Sequence, residues 1–199
     1  LRYRRFNKTI ADMSLRQLSK ALLPPFKTGQ QNVLNLISTD GGNGKSYLAQ
    51  ELENYWITLG LQVRKLTYDE DFLADDSRYI MSKSIKDLCP DLLPDEIAII
   101  EYPNLNEHSI PSALLNLGTV NLLVTRANRT WKDVDQKALK ELQSQLENKD
   151  SLFMYLTESQ RYAVEEFVGQ LPPYTKFNNF VYRLSQMGLT ATENSHTKL

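Results

Sequence analysis

The sequence predicts an α/β protein with a mostly parallel sheet and helices on both faces. Two observations lead to this prediction. Apolar runs of strand length alternate with segments of helical periodicity, and polar residues able to do chemistry follow directly after strands. Strands separated by helices require crossover connections, which join parallel strands and cover the sheet. The chain has 199 residues, 41% of them hydrophobic, which suffices for one sizeable core.

The first four predicted elements surround a glycine-rich stretch. Leucines at helical spacing predict an amphipathic helix at residues 14–23, which is ended by two prolines. The apolar run at residues 32–38 predicts the first strand, and it leads into the glycine-rich stretch. A second amphipathic helix is predicted at residues 45–60, where Gly60 is a typical helix stop. The run at residues 61–68 predicts the second strand.

The second part of the chain continues this alternation. Residues 96–102 and 120–127 are apolar runs that predict the third and fourth strands, with a short helix between them at residues 110–118. A long helix with a polar face is predicted at residues 131–148, and residues 151–157 form the fifth predicted strand. Two further helical stretches are predicted near the C-terminus, and the motif "LPPY" separates them.

The sequence divides into two predicted regions. Residues 1–30 hold a basic arm and the N-terminal helix, and residues 31–199 hold the α/β domain with a helical C-terminal segment. The arm, "LRYRRFNK", has basic residues and no acid, which is typical both of a solvated arm and of the cytoplasmic flank of a membrane helix. No apolar run approaches the ~20 residues of a membrane helix, so we expect the chain itself to be soluble.

Composition excludes several functional classes. The formal net charge of -1 argues against a nucleic-acid binder, because neutralising phosphates requires a surplus of Lys and Arg. The single cysteine, Cys89, excludes an internal disulfide and a cysteine-rich metal site. The two histidines, His108 and His196, are far apart in the sequence, which argues against a histidine-ligated metal.

The stretch "DGGNGKS" contains the parts of a phosphate-binding loop between a strand and a helix. Glycines let backbone N–H groups turn towards phosphates, the lysine reaches the outer phosphates and the serine hydroxyl binds Mg²⁺. The candidate nucleotide-binding residues are Gly41, Gly42, Asn43, Gly44, Lys45 and Ser46. Thr39 stands where the usual pattern has its first glycine, so we expect the loop to take its flexibility from Gly42 and Gly44. The alternative is a simple turn that contains Gly-Lys-Ser by chance.

Acidic residues follow the second and third predicted strands. Asp69 and Asp71 alternate along the chain, so in an extended segment both carboxylates would point to the same side, beside the loop. Mg²⁺ needs carboxylate ligands there, and an attacking hydroxyl needs a base. Glu101 ends the third strand, where nucleotide-hydrolysing folds place an Asp near Mg²⁺, and its greater length predicts that reaching the ion takes some rearrangement. The alternative in each case is an acidic group in water.

With these motifs in order, the chain resembles the bacterial tyrosine kinase domain of capsule and exopolysaccharide co-polymerases, one of the deviant phosphate-loop ATPases. "DGGNGKS" is similar to the family's phosphate loop, "LTYDEDF" to its second motif and "IIEYPN" to its third. "LLVTRANRT" is similar to a further family stretch, and the closing "LPPYTKFNNFVYRLSQMGLT" to the tail of Bacteroides-type members. Together these stretches cover most of residues 32–190. The fold that the resemblance implies is that of the phosphate-loop NTPases.

The resemblance implies ATP or ADP with Mg²⁺ as cofactors, held by Lys45 and Ser46. It implies that Asp69 is the base for a tyrosine hydroxyl and that Asp69, Asp71 and Glu101 are carboxylates on the metal side. It also implies a membrane helix next to the domain and a place at the cytoplasmic face of the bacterial inner membrane. The implied partners are further copies of the chain or a membrane co-polymerase, in control of polymer length and export.

Several residues depart from the family's pattern. Glu101 replaces an Asp, Asp40 stands where partition-type relatives carry a signature lysine, and no tyrosine follows Tyr182 as a phosphate acceptor. These departures leave open whether the domain is an enzyme, and they are typical of a member whose catalysis is weak or lost. One alternative is a non-catalytic docking or assembly module of the export complex. Another is a dimeric partition-type ATPase, against which Asp40 argues.

Overall fold

The computed structural model of the protein describes residues 13–159. The strands of this part are β1 (Asn32–Ile37), β2 (Val63–Thr67), β3 (Ile97–Glu101), β4 (Val120–Arg126) and β5 (Leu152–Thr157). Each lies within the range predicted from its apolar run and is one to three residues shorter. The predicted basic arm and the two predicted C-terminal helical stretches lie outside the described residues.

The five strands form one parallel sheet in the order β2-β3-β1-β4-β5. The predicted fold class is thus confirmed. β1 lies in the centre of the sheet, and all of its residues are buried. The connection from β1 leads to β2 on one side, whereas the connection from β4 leads to β5 on the other side. The carboxyl ends of β1 and β4 therefore border the crevice where sheets of this kind usually bind their ligands.

Helices connect the strands. α1 (residues 13–22) precedes β1. The helices between strands are α2 (Lys45–Thr58), α3 (Ser77–Ile80), α4 (Ser112–Asn116) and α5 (Asp133–Gln145), with 3-10 turns at Ile85–Asp87 and Lys149–Ser151. Residues Leu15–Ser159 form one compact unit. Among the helices of residues 13–159, none combines the length and the apolar composition that crossing a bilayer requires.

One face of the sheet is covered by α1 and α2. Leu34 and Leu36 of β1 belong to an apolar cluster on this face together with Leu52 and Trp56 of α2, and all four side chains are fully buried. The Trp56 indole N–H donates to Ser19 Oγ at 2.8 Å, so the polar group of this buried ring has a partner in α1. Burying one large apolar side chain stabilises a fold by about 1.5–3 kcal/mol. This packing holds α2 against β1, and with it the loop between them.

The other face is covered by α4, α5 and the segment 77–92, and it contains a buried polar network. Asn35 Nδ2 of β1 donates to Asn121 Oδ1 of β4 at 2.8 Å, and Asn121 Nδ2 donates to Ser151 Oγ at 3.0 Å. A Cβ atom at Gly118 would lie 2.5 Å from Asn35 Nδ2 and 2.7 Å from Asn121 Oδ1, so only glycine fits there without a shift. The network holds β1 and β4 in register, and the candidate site lies at the carboxyl ends of these strands.

Candidate functional site

Residues 38–46, here called the phosphate loop, join β1 to α2. Gly42 and Gly44 have φ angles of 69° and 86°, in the left-handed region, which confirms where the loop takes its flexibility. Thr39 has no positive φ, so a side chain in place of the usual first glycine strains nothing. Within residues 13–159, no backbone N–H group of residues 42–46 donates a hydrogen bond. These free donors, next to the start of α2, form the kind of surface that binds anions.

The shape of the loop is maintained by its own polar groups and by neighbouring strand ends. The Leu105 N–H donates to the Ser38 carbonyl at 2.9 Å, and Thr157 Oγ1 of β5 donates to the Asn43 carbonyl at 3.0 Å. The Asn43 side chain is buried, and its Nδ2 donates to the Asp40 carbonyl at 2.7 Å. Asn43 is thus a structural member of the loop, and what it presents to a ligand is its backbone N–H.

Lys45 lies at the start of α2 with its side chain folded back along the loop. Its Nζ donates to Ser38 Oγ at 2.6 Å, and the residue is only 7% exposed. Burial lowers the pKa of Lys45, and the carboxylates of Glu101 and Glu107 partly offset this effect. The amine therefore has one hydroxyl partner and two acidic neighbours, a setting from which it could reach a phosphate on the loop.

Ser46 and Glu101 meet between α2 and the end of β3. The Ser46 hydroxyl donates to Glu101 Oε1 at 2.6 Å. The glutamate is buried, and its Oε2 has no hydrogen-bond partner among the described residues. A buried carboxylate oxygen without a partner is costly, and a hard cation with its bound waters would satisfy it. The pair therefore fits Mg²⁺ bound through Ser46 and Glu101. In residues 13–159, no three His, Cys, Asp or Glu side chains cluster as a protein-only metal cage.

Asp69 and Asp71 lie in a turn rather than in an extended segment. β2 ends at Thr67 and Asp69 has a φ of 70°, so the side-chain alternation of a strand does not extend to these residues. Asp71 Oδ2 accepts the Thr67 N–H at 2.7 Å, and a single bridge pairs Tyr68 with Phe72. The reason is local, because an Asp side chain near a strand end bonds the nearby backbone and closes a turn.

Asp69 nevertheless lies at the same edge of the sheet as the other acids. The Tyr68 N–H, next to Asp69 in the chain, donates to the Glu101 carbonyl at 3.2 Å, and Thr67 pairs with Glu101 in the sheet. Burial raises the pKa of Tyr68, and the charges of Asp69, Glu101 and Glu107 raise it further. Asp71, by contrast, has one carboxylate oxygen committed to the turn. The roles of Asp69 as a base and of Asp69 and Asp71 as metal ligands stay predictions.

Two residues of the site were not identified from the sequence, Arg129 and Asp135. Arg129 follows β4, and its Nη2 donates to both carboxylate oxygens of Asp135 at 2.9 Å. The same nitrogen lies 3.2 Å from Asp40 Oδ2 on the phosphate loop. The stretch "LLVTRANRT" contains Arg129, but its residue types alone do not indicate a role for this arginine. Asp135 belongs to the first turn of α5, where acidic residues are common on exposed faces, and nothing in the sequence indicates its burial.

Asp135 holds its charge in spite of complete burial. Burial alone would raise the pKa of this carboxyl, but hydrogen bonds from the Thr39 hydroxyl, the Lys132 N–H and Arg129 together lower it. Buried charges are tolerated where they are paired in this way. Asp135 therefore holds the Arg129 guanidinium, which follows β4, in a fixed position beside the phosphate loop, which follows β1.

No protein-family model matches the chain, and no curated protein matches it. Among solved structures, the fold is similar to the kinase domain of the Escherichia coli tyrosine kinase ETK, with a TM-score of 0.53 and 10% sequence identity. The match covers 74% of this chain and 76% of that chain. At such low identity the similarity concerns the fold alone. The chain thus has an α/β fold that is phosphate-loop NTPase-like, as predicted from the sequence resemblance.

Proposed function

We propose that this domain binds ATP or ADP with Mg²⁺ through the phosphate loop, as a tyrosine-kinase-like nucleotide-binding domain. One arrangement carries the proposal. The free N–H groups of residues 42–46, the Lys45 amine and the Ser46–Glu101 pair lie together at the carboxyl end of the sheet. Each belongs to a different part of a nucleotide-phosphate site, namely the anion-binding backbone, the cation for the outer phosphates and the metal ligands.

In this proposal the described residues have distinct tasks. The loop N–H groups and Lys45 bind the phosphates, and Ser46 and Glu101 hold the metal ion. When bound with the nucleotide, Mg²⁺ would neutralise part of the negative charge of the phosphates. Asp69, which follows β2 at the same edge of the sheet as Glu101, is the candidate to accept a proton from an attacking hydroxyl, and Asp71 is the second candidate carboxylate on the metal side.

The proposed setting is a bacterial exopolysaccharide or capsule export system, at the cytoplasmic face of the inner membrane. The order of the sequence motifs supports this setting, and so does the fold similarity to a bacterial tyrosine kinase domain. The partner would be a membrane co-polymerase or further copies of the chain. In this setting the basic residues before the domain would lie near anionic lipid.

Isothermal titration of the full chain with MgADP and MgATP tests nucleotide binding. Lys45→Ala should abolish binding, because it removes the cation at the outer phosphates. Lys137→Ala is the matched control, since Lys137 is exposed on α5 and loses the same charge and side-chain length. A folded wild-type chain without measurable affinity for either nucleotide would overturn the proposal.

Kinase activity is the stronger form of the proposal. With MgATP, phosphotyrosine should appear on the chain or on a tyrosine-containing peptide, and Asp69→Asn should remove it. Nucleotide binding without any phosphotyrosine would indicate a domain that binds but does not transfer phosphate.

A second candidate function is a non-catalytic docking or assembly module. The observation that favours it is Asp40, whose carboxylate accepts the Gly41 N–H of the loop at 2.9 Å. Such a module would assemble with its partner equally well with Lys45→Ala and without nucleotide. A dimeric partition-type ATPase has less support, because Asp40 stands at the place of the lysine that acts across such dimers. Dimerisation that depends on ATP, measured by light scattering, would revive that candidate.

A further inference from the structure

Arg129 has a fixed position beside the phosphate loop. Its Nη2 donates to both oxygens of Asp135, and its Nη1 donates to Thr39 Oγ1 at 3.4 Å. Asp135 is completely buried and also accepts the Lys132 N–H at 3.0 Å. The Arg129 side chain is only 12% exposed. The guanidinium is therefore positioned by α5 and stays at the loop whatever the Asp40 side chain does.

The Asp40 carboxylate occupies two groups of the site that a phosphate would use. Its Oδ1 accepts the Gly41 N–H at 2.9 Å, and its Oδ2 lies 3.2 Å from Arg129 Nη2. An anion thus already lies between the Gly41 N–H and the neighbouring Arg129 guanidinium. Unlike Asp135, which is buried, the Asp40 side chain is 51% exposed.

The loop keeps its shape without the Asp40 side chain. Ser38 Oγ and Asn43 Nδ2 both donate to the backbone carbonyl of Asp40, at 2.8 Å and 2.7 Å. Because these bonds use the main chain, the carboxylate can rotate into solvent without opening the loop. An ion pair exposed to this degree is worth at most about 1 kcal/mol, so a stronger anion can displace the carboxylate.

We propose that the Asp40 carboxylate is an internal competitor for the phosphate site, which a nucleotide phosphate displaces from Gly41 and Arg129, and that Arg129 then binds the phosphate. The inference rests on the proposed nucleotide binding and adds Arg129 and Asp40 to its residues. The topology supports the exchange, because β1 and β4 are parallel neighbours and the loops that follow them lie side by side at the crevice. A phosphate offers more charge and more acceptor oxygens to the guanidinium than a carboxylate does.

Titration calorimetry with MgADP tests the exchange in the full chain. Asp40→Asn should bind about fivefold more tightly than wild type, because the ion pair with Arg129 no longer has to be broken. Asp95→Asn is the matched control, since Asp95 is exposed in the connection before β3 and loses the same charge. Its affinity should equal that of wild type.

Two further variants separate exchange from simple repulsion between Asp40 and the phosphates. In an Arg129→Lys background, the gain from Asp40→Asn should shrink, because a lysine cannot hold Asp135 and Asp40 in the same way. Repulsion alone would leave the gain unchanged. The second variant, Asp40→Glu, is tested with Arg129 in place. It keeps the charge but loses the short contact with the Gly41 N–H, and it should bind MgADP more tightly than wild type.

The outcomes distinguish this inference from the proposed function. If wild type binds MgADP and Asp40→Asn binds it equally well, the exchange is wrong and nucleotide binding stands. An undiminished gain in the Arg129→Lys background, or Asp40→Glu binding like wild type, also overturns the exchange. If neither wild type nor Asp40→Asn binds nucleotide while both are folded, the proposed function fails and the exchange fails with it.

Discussion

The Ser46 hydroxyl and Glu101 Oε1 are 2.6 Å apart, joined by a hydrogen bond between the first turn of α2 and the end of β3. In the sheet, Glu101 pairs with Leu36 of β1, so its side chain leaves β3 directly beside the phosphate loop. The greater length of the glutamate therefore does not keep it from contact with Ser46, and the expectation that reaching a metal ion takes some rearrangement stays a prediction. The other oxygen of the carboxylate remains without a partner in the described part of the chain.

Replacing Glu101 by glutamine should weaken binding of MgADP about tenfold while changing binding of metal-free ADP little. The amide oxygen can still accept from Ser46, but it lacks the charge that the metal ion requires, and changes at or next to a metal's ligands cost about tenfold or more in metal affinity. Calorimetry with and without Mg²⁺ measures both affinities. Glu141→Gln on the exposed surface of α5 is the control. Equal losses with and without the metal would contradict a metal-holding role for Glu101.

Nucleotide affinity should fall with rising pH because of Lys45. Burial lowers the pKa of this amine, and only the protonated form attracts phosphate. The fall should therefore begin below about pH 10.4, where an exposed lysine titrates. Fluorescence or calorimetric titrations between pH 7 and pH 10 test this, with Lys137→Ala expected to follow the wild-type profile. An affinity that stays constant up to pH 10 would show that the charge of Lys45 is not needed.

Gly42→Ala and Gly41→Ala form a matched pair. A Cβ atom at either position meets no atom within 4 Å, but only Gly42 has a positive φ, of 69°. Because an L-residue in the left-handed region costs about 1–2 kcal/mol, Gly42→Ala should lower the free energy of unfolding by that amount and Gly41→Ala should not. Urea unfolding followed by circular dichroism measures both. Equal stability of the two variants would show that the loop relaxes into another backbone conformation.

Asp135→Asn should destabilise the fold in a manner that depends on pH. Breaking a buried ion pair costs about 3 kcal/mol, because Arg129 loses its buried partner and keeps only the half-exposed Asp40 carboxylate as a counter-charge. The pKa of Asp135 is lower in the folded protein than in the unfolded chain. The ionised carboxylate therefore stabilises the fold above about pH 4, and this contribution is lost as the pH falls through the lowered folded-state pKa.

The measurement is urea unfolding of wild type and Asp135→Asn at pH 7, 5 and 3. The difference in unfolding free energy should be largest at pH 7 and should shrink towards pH 3. Asp133→Asn is the control, because Asp133 is exposed and its charge lies in the same first turn of α5. A difference that is the same at all three pH values would mean that Asp135 acts by packing and not by charge.

Strands and their order along the chain could be predicted because β1, β3 and β4 are buried on both faces. Such strands appear in the sequence as short apolar runs between turn residues. The phosphate loop could be predicted because a positive φ favours glycine, and the sequence has Gly42 and Gly44 directly before a helix, where both do have a positive φ. The turn at Asp69 could not, because the same acidic residues fit an extended segment and a closed turn equally well. Hydrogen bonds across the turn decide between them, among them those from the Thr67 N–H to Asp71 and from the Asp69 N–H to the Phe72 carbonyl.

The amino-acid sequence by itself determined the alternation of strands and helices and the presence of a phosphate loop, since periodicity and local backbone preference act between neighbours in the chain. Only the tertiary structure decided which distant side chains meet there. Arg129 reaches Asp40 because β4 lies beside β1 in the sheet. In the same pair of strands, Asn35 and its partner Asn121 are 86 residues apart in the sequence. Contacts of this range depend on the strand order, which periodicity along one chain does not encode.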